Sequence, residues 1–90
     1  MILIDDAAVP AHGWFWCHLA SDTSFDELHA FVEPFDVPVR GFDGDHYDVP
    51  IERRDELIAA GATPVTSREL VAALIAAGLR RRRPRSAKGT

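Results

Sequence analysis

Ile2-Leu3-Ile4-Asp5-Asp6 is the stretch on which the fold reading turns. Three apolar residues in a row, two of them β-branched, read as a short strand buried on both faces. Strands of that kind belong to parallel sheets covered by helices. The two acids close the strand. A helix signal follows at Ser24-Phe25-Asp26-Glu27, a capping box with Ser24 as N-cap and Glu27 three residues on. Leu28, Phe31, Val32 and Phe35 then share one helical face, and Pro34 stops or bends the helix.

Val37-Pro38-Val39-Arg40-Gly41-Phe42 reads as a second strand, with Pro38 at its start or on an edge. Asp43 to Asp48 reads as a polar turn. Pro50 suits the first turn of a helix capped by Asp48 or Val49 and ended by Gly61. Ala62-Thr63-Pro64-Val65 is a third strand. Thr66-Ser67-Arg68-Glu69 is a second capping box, before a helix with Leu70, Val71, Leu74 and Ile75 on its apolar face and Gly78 at its end. The order β-α-β-α-β-α predicts an α/β domain over residues 1–79: a small three-stranded, mainly parallel sheet with helices packed on it. Residues 7–23 form a long connection without clear period. Trp14 and Trp16 within it are read as core, with stacking on a base or sugar as the alternative.

Charge divides the chain. Residues 1–79 hold all fourteen acids and four basic residues, a net of −10, whereas residues 80–90 hold six basic residues and no acid. The second segment predicts a disordered basic C-terminal tail able to meet nucleic acid without sequence preference. An acidic body argues against a broad nucleic-acid face of its own. The single cysteine, Cys17, excludes an internal disulfide and suits a reducing cytosol. No signal peptide or apolar span is evident, so the expected location is cytoplasmic, away from membranes. There is no GxxxxGK[ST], GxGxxG or CxxC pattern to support a glycine-loop nucleotide site or cysteine redox chemistry.

In open α/β sheets, ligands bind beyond the carboxyl ends of the strands. That rule gathers Asp5 and Asp6, the loop with His12, His18 and Asp22, the turn with His46, Tyr47 and Asp48, and the helix start at Thr66, Ser67 and Arg68. Imidazoles and carboxylates together suit a divalent metal, with Asp5, His18, Asp22, His46 and Asp48 as candidate ligands. Alternatively, His46, Asp48, His18 and Asp5 are catalytic candidates, a carboxylate orienting a histidine as general acid or base. Thr66, Ser67 and Arg68 are candidates for an anion site. The bland alternatives are that Asp48 caps a helix and that His46 only bonds a backbone carbonyl. His29 is read as a boundary histidine, and Arg53 and Arg54 as partners of nearby surface acids.

Ile2-Leu3-Ile4-Asp5, Trp16-Cys17-His18-Leu19, Ser21-Asp22, Glu27-Leu28-His29-Ala30-Phe31, Gly44-Asp45-His46-Tyr47-Asp48-Val49-Pro50, Gly61-Ala62 and Arg68-Glu69-Leu70-Val71 occur in that order. In this the chain resembles a small bacterial and phage family catalogued as domain of unknown function 4031. The resemblance covers roughly residues 1–80 and leaves the basic tail outside. It implies no activity and no substrate. It does imply that His18, Asp22, His46, Tyr47 and Asp48 belong to family signatures.

Two functions follow from these residues. One is a binding module with a polar His/Asp site for a small anionic ligand or a protein. The other is a small metal-assisted hydrolase acting on a phosphoester or nucleotide-like substrate. A homodimer formed through the open sheet edges suits either.

Overall fold

The computed structural model describes residues 1–80. The fold is mixed α/β, and its centre is a strand that the sequence hides. Strand β1 (Ile2–Ile4) forms where expected. The connection after it is a hairpin of β2 (Val9–Ala11) and β3 (Trp14–Ser21). His12 and Gly13 turn it with φ of 50° and 75°. Positive φ at both central residues matches the twist of a two-residue hairpin loop, and Gly13 supplies it without a Cβ penalty.

The remaining strands are β4 (Tyr47–Pro50) and β5 (Thr63–Pro64). The five-stranded sheet is mixed, which corrects the expected three-stranded, mainly parallel sheet. β1, β2 and β4 all pair with β3 in antiparallel fashion, and only β1–β5 is parallel. Leu19 pairs with both Ile4 and Tyr47, and Trp16 with both Val9 and Pro50. β1 and β2 therefore share one edge of β3, and β4 has the other.

The expected strand at 37–42 is also corrected. Val39–Gly41 is a 3₁₀ turn, and Phe42 makes only an isolated bridge to Tyr47. Val39 is 81% exposed, so its alternation with Val37 marks no buried face. Between Phe42 and Tyr47, Gly44 takes φ of 76° and the Asp43 amide donates to the His46 carbonyl at 2.7 Å. This tight turn delivers His46 directly to the start of β4.

Three helices match the expected segments: α1 (Phe25–Val32), α2 (Arg54–Ala59) and α3 (Ser67–Ala76). Ser24 caps α1 by accepting from the Glu27 amide, while Thr66 and Glu69 complete a reciprocal box at α3. Glu27 does not return the bond; its carboxylate takes the Ser21 hydroxyl and the Met1 amino group instead.

Alternation along the strands sorts the core into two layers. Ile2, Ile4, Cys17, Leu19, Tyr47 and Val49 pack with Leu28 and Val32 of α1 and Leu57 of α2. On the other face, Leu3 and Ala20 pack with Leu70 and Leu74 of α3. Two helices cover the first face. One helix covers only part of the second, and the uncovered part carries the polar site. The hairpin end is also bare, with Trp14 and Phe15 about half exposed, so Trp14 is not core.

No helix among the described residues is long and apolar enough to cross a membrane. Of the expected basic tail, residues 81–90 lie outside the described residues. Arg80 belongs to the folded body: its amide bonds the Leu74 carbonyl and its guanidinium reaches Asp45.

Candidate functional site

His18 and Asp48 are cross-strand partners on β3 and β4. His46 lies two residues before Asp48, so its side chain falls on the same face. Trp16 and Pro50 are the next pair along that face. Register alone therefore gathers two imidazoles and a carboxylate beside an aromatic ring. Asp48 is a strand residue pointing at His18, not the helix cap that Pro50 suggested.

Asp5 follows Ile4 at the end of β1 and is buried, its side chain 1% exposed. Its Oδ1 accepts from the His18 amide at 2.8 Å and the Ala7 amide at 3.3 Å. Its Oδ2 meets His18 Nδ1 at 2.6 Å and accepts from the Ser67 hydroxyl at 3.0 Å. Four partners answer the cost of burying a carboxylate. Burial works to raise the Asp5 pKa, but the His18 and Ser67 hydrogen bonds outweigh it and hold the carboxyl below its ordinary value. The same bond to Asp5 holds His18 above the usual imidazole value.

His46 has the matching arrangement. Its Nδ1 lies 2.7 Å from Asp45 Oδ1. Asp45 is held in turn by a bidentate Arg80, with Nε to Oδ2 at 2.6 Å and a terminal nitrogen to Oδ1 at 2.9 Å. Arg80, followed by the bond to His46, keeps Asp45 ionised below the ordinary carboxyl pKa.

With Nδ1 engaged on both rings, Nε2 is the free nitrogen of each. Both face Asp48: Nε2 of His46 is 3.2 Å from Asp48 Oδ1, and Nε2 of His18 is 3.7 Å from the same oxygen. The rings meet edge to face with centroids 5.0 Å apart. One ligand atom from each of the three residues lies within 4.8 Å of the others. A tetrahedral ion with bonds near 2.1 Å spaces its ligands ~3.4 Å apart, so side-chain shifts of about an ångström close the set.

A family model described as a protein of unknown function, DUF4031, matches residues 2–77. The chain belongs to this family. No curated protein and no solved structure matches it. The DUF4031 match spans Asp5, His18, Asp45, His46 and Asp48, whereas Arg80 lies past its end.

The DUF4031 fold brings the four catalytic candidates together: Asp5, His18, His46 and Asp48. Asp22 is elsewhere. It sits four residues beyond His18, roughly 13 Å along an extended chain, and bonds the Met1 amino group at 2.8 Å. That contact with Asp22, and a second one with Glu27, raise the pKa of the amino group. Of the anion-site candidates, Thr66 caps α3 and Ser67 donates to Asp5. Ser67 and Arg68 line a shallow surface along α3 with Val71 and Ile75. His29 bonds the buried Tyr47 hydroxyl at 2.7 Å, clear of the cluster.

Three contributors escaped the sequence reading of this DUF4031 chain. Arg54 does not pair with a surface acid; its Nε donates to the Asp5 carbonyl at 2.8 Å. Asp45 had a faint signal, its place directly before His46. Arg80 had none, since 35 residues separate it from Asp45.

A groove of about 840 Å³ opens from the cluster. Val9, Trp16, Val37, Pro38 and Pro50 line it, with Arg40 and Arg53 also in the lining.

Proposed function

We propose that this protein is a small metal-assisted hydrolase acting on a phosphoester or nucleotide-like substrate. His18, His46 and Asp48 are its ion ligands. One observation carries the reading: each imidazole is tied through Nδ1 to its own carboxylate, and both free nitrogens turn to the same oxygen of Asp48. Metal-bound histidines almost always donate their other ring N–H to a carboxylate, a backbone carbonyl or water, which fixes the tautomer and makes the ligand nitrogen more basic.

Two nitrogens and one oxygen suit Zn²⁺ or Mn²⁺. Three protein ligands leave room for water and substrate, and a bound ion lowers the pKa of that water and stabilises charge developing on a phosphoryl oxygen. The groove suits such a substrate. Arg40 and Arg53 bring cationic groups to the groove, Arg53 with its Nε bonded to Glu56 at 2.8 Å, while Trp16 and Pro50 offer a flat apolar surface.

A second reading keeps the ion and groove without turnover: a binding module whose ion holds an anionic ligand. The engagement of Asp5 and Asp45 favours it, because carboxylates committed to anchoring histidines are poorly free to take a proton from water. Assays of bis(p-nitrophenyl) phosphate and p-nitrophenyl phosphate with Zn²⁺ and Mn²⁺ separate the two. The hydrolase reading expects metal-dependent release of nitrophenol, abolished by Asp48→Ala and weakened by Arg53→Ala. Metal uptake with no hydrolysis of either ester would leave the binding module in its place.

A further inference from the structure

Helix α3 and the chain that leaves it touch both anchoring carboxylates. Ser67, its first residue, donates to Asp5 Oδ2. Beyond its other end, the amides of Leu79 and Arg80 both return to the Leu74 carbonyl, at 2.9 and 3.1 Å, which fixes the direction in which the chain leaves the helix. From there the Arg80 guanidinium grips both oxygens of Asp45. Leu70 and Leu74, buried against Leu3 and Ala20, hold the helix between these two contacts.

We infer that Arg80 is a positioning residue for the metal site, acting through Asp45 to hold His46 with its proton on Nδ1 and Nε2 toward the ion. The inference rests on reading His18, His46 and Asp48 as ligands. It adds to that site a residue from outside the stretch matched by the family model.

Asp45 Oδ1 serves both Arg80 and His46, so the rotation of its carboxylate decides whether His46 Nδ1 has an acceptor. A bidentate guanidinium fixes that plane through two bonds, and a lysine ammonium cannot, because it is a point charge without a fork. Asp45 is only 14% exposed, so solvent is a poor substitute for either partner. His18 needs no such help, since its own anchor is fixed by two backbone amides and Ser67. Loss of Arg80 therefore loosens one imidazole and spares the other.

The test uses the full chain, with Arg80→Ala, Arg80→Lys and Asp45→Asn beside wild type. Zn²⁺ affinity is read by competition with a chromophoric chelator, and histidine tautomers by ¹⁵N NMR of the metal-free protein. Arg80→Ala should weaken Zn²⁺ binding about tenfold, at the lower end for an outer-sphere partner. It should shift the His46 ring signals, above all that of Nδ1, while His18 signals stay put. Arg80→Lys should fall between wild type and Arg80→Ala in both readouts, and Asp45→Asn should match or exceed the alanine variant. A purely structural tether would lower thermal stability and leave the His46 signals unchanged. Unchanged His46 signals and Zn²⁺ affinity in Arg80→Ala overturn the positioning role alone, whereas a wild-type chain that takes up no Zn²⁺ overturns the metal reading beneath it.

Discussion

Oδ2 of Asp5 and Nδ1 of His18 lie 2.6 Å apart, across the pairing of β1 with β3. The contact links core and site. Asp5 ends the strand that packs on both layers, and His18 presents its other nitrogen to Asp48. Removing the carboxylate leaves the His18 amide and the Ser67 hydroxyl without their acceptor. Asp5→Ala should therefore cost roughly 2–5 kcal/mol of folding stability, with a smaller loss for Asp5→Asn. Urea unfolding of the metal-free protein measures it. A loss under about 0.5 kcal/mol, the size of an ordinary surface change, would show that the Asp5 network does not hold the fold.

The same pair sets a pH window for the metal-free protein. Asp5 titrates below its ordinary value when folded, so its contribution is present above the unfolded pKa and lost as the pH falls through the folded one. His18 titrates above its ordinary value, so its contribution is complete below an unfolded pKa of about 6.5 and lost as the pH rises through the folded one. Stability in the presence of a chelator should peak between the two folded values and fall on both sides. His18→Gln should flatten the alkaline limb. Chelator-treated wild type whose melting temperature is level from pH 6 to 9 would contradict this (the range brackets the imidazole titration).

The local signals of the sequence were legible wherever one segment carries the whole effect. Ser24, Thr66 and Glu69 announce their helices because a cap needs only its own turn. Ile2–Ile4 shows that it is buried on both faces, and it is. β3 was hidden for the converse reason: Leu19, Ala20 and Ser21 are all buried, so its inner half shows no alternation, and His18 interrupts the apolar run. In β4 the alternation of Tyr47 and Val49 was present, but Asp48 and Pro50 read as a cap and a helix start. Asp48 is polar on a strand because its partner across the sheet is His18. Asp5, His18, His46 and Asp48 are legible from residue type and nearness to expected strand ends. Their anchors, Asp45 with Arg80 and Ser67 with Asp5, join distant segments and needed three dimensions.

Thr66 gives a check on α3 that touches no candidate ligand. Its hydroxyl accepts from the Glu69 amide at 3.1 Å, and Glu69 accepts from the Thr66 amide at 2.8 Å. Thr66→Ala should cost about 1 kcal/mol and lower the melting temperature by about 4–8 °C in a domain of this size. Thermal unfolding followed by circular dichroism reads it, and an unshifted midpoint would mean that the cap contributes nothing.

Cys17 should be chemically silent in the folded protein. It has no exposed surface, and burial pushes its thiol up to about 11. Ellman's reagent at pH 8 should leave the native thiol unmodified and label it fully in 6 M urea. Rapid labelling without denaturant would place Cys17 outside the core described for β3.

Metal stoichiometry tests the central claim most directly. Equilibrium dialysis of the full chain against Zn²⁺ and then Mn²⁺, with metal and protein both quantified, should give one ion per chain for wild type with at least one of them. The His18→Ala/His46→Ala double variant, confirmed as folded by circular dichroism, should retain none. A wild-type chain that retains neither ion, or a double variant that retains as much as wild type, would contradict the assignment of His18, His46 and Asp48 as a metal site.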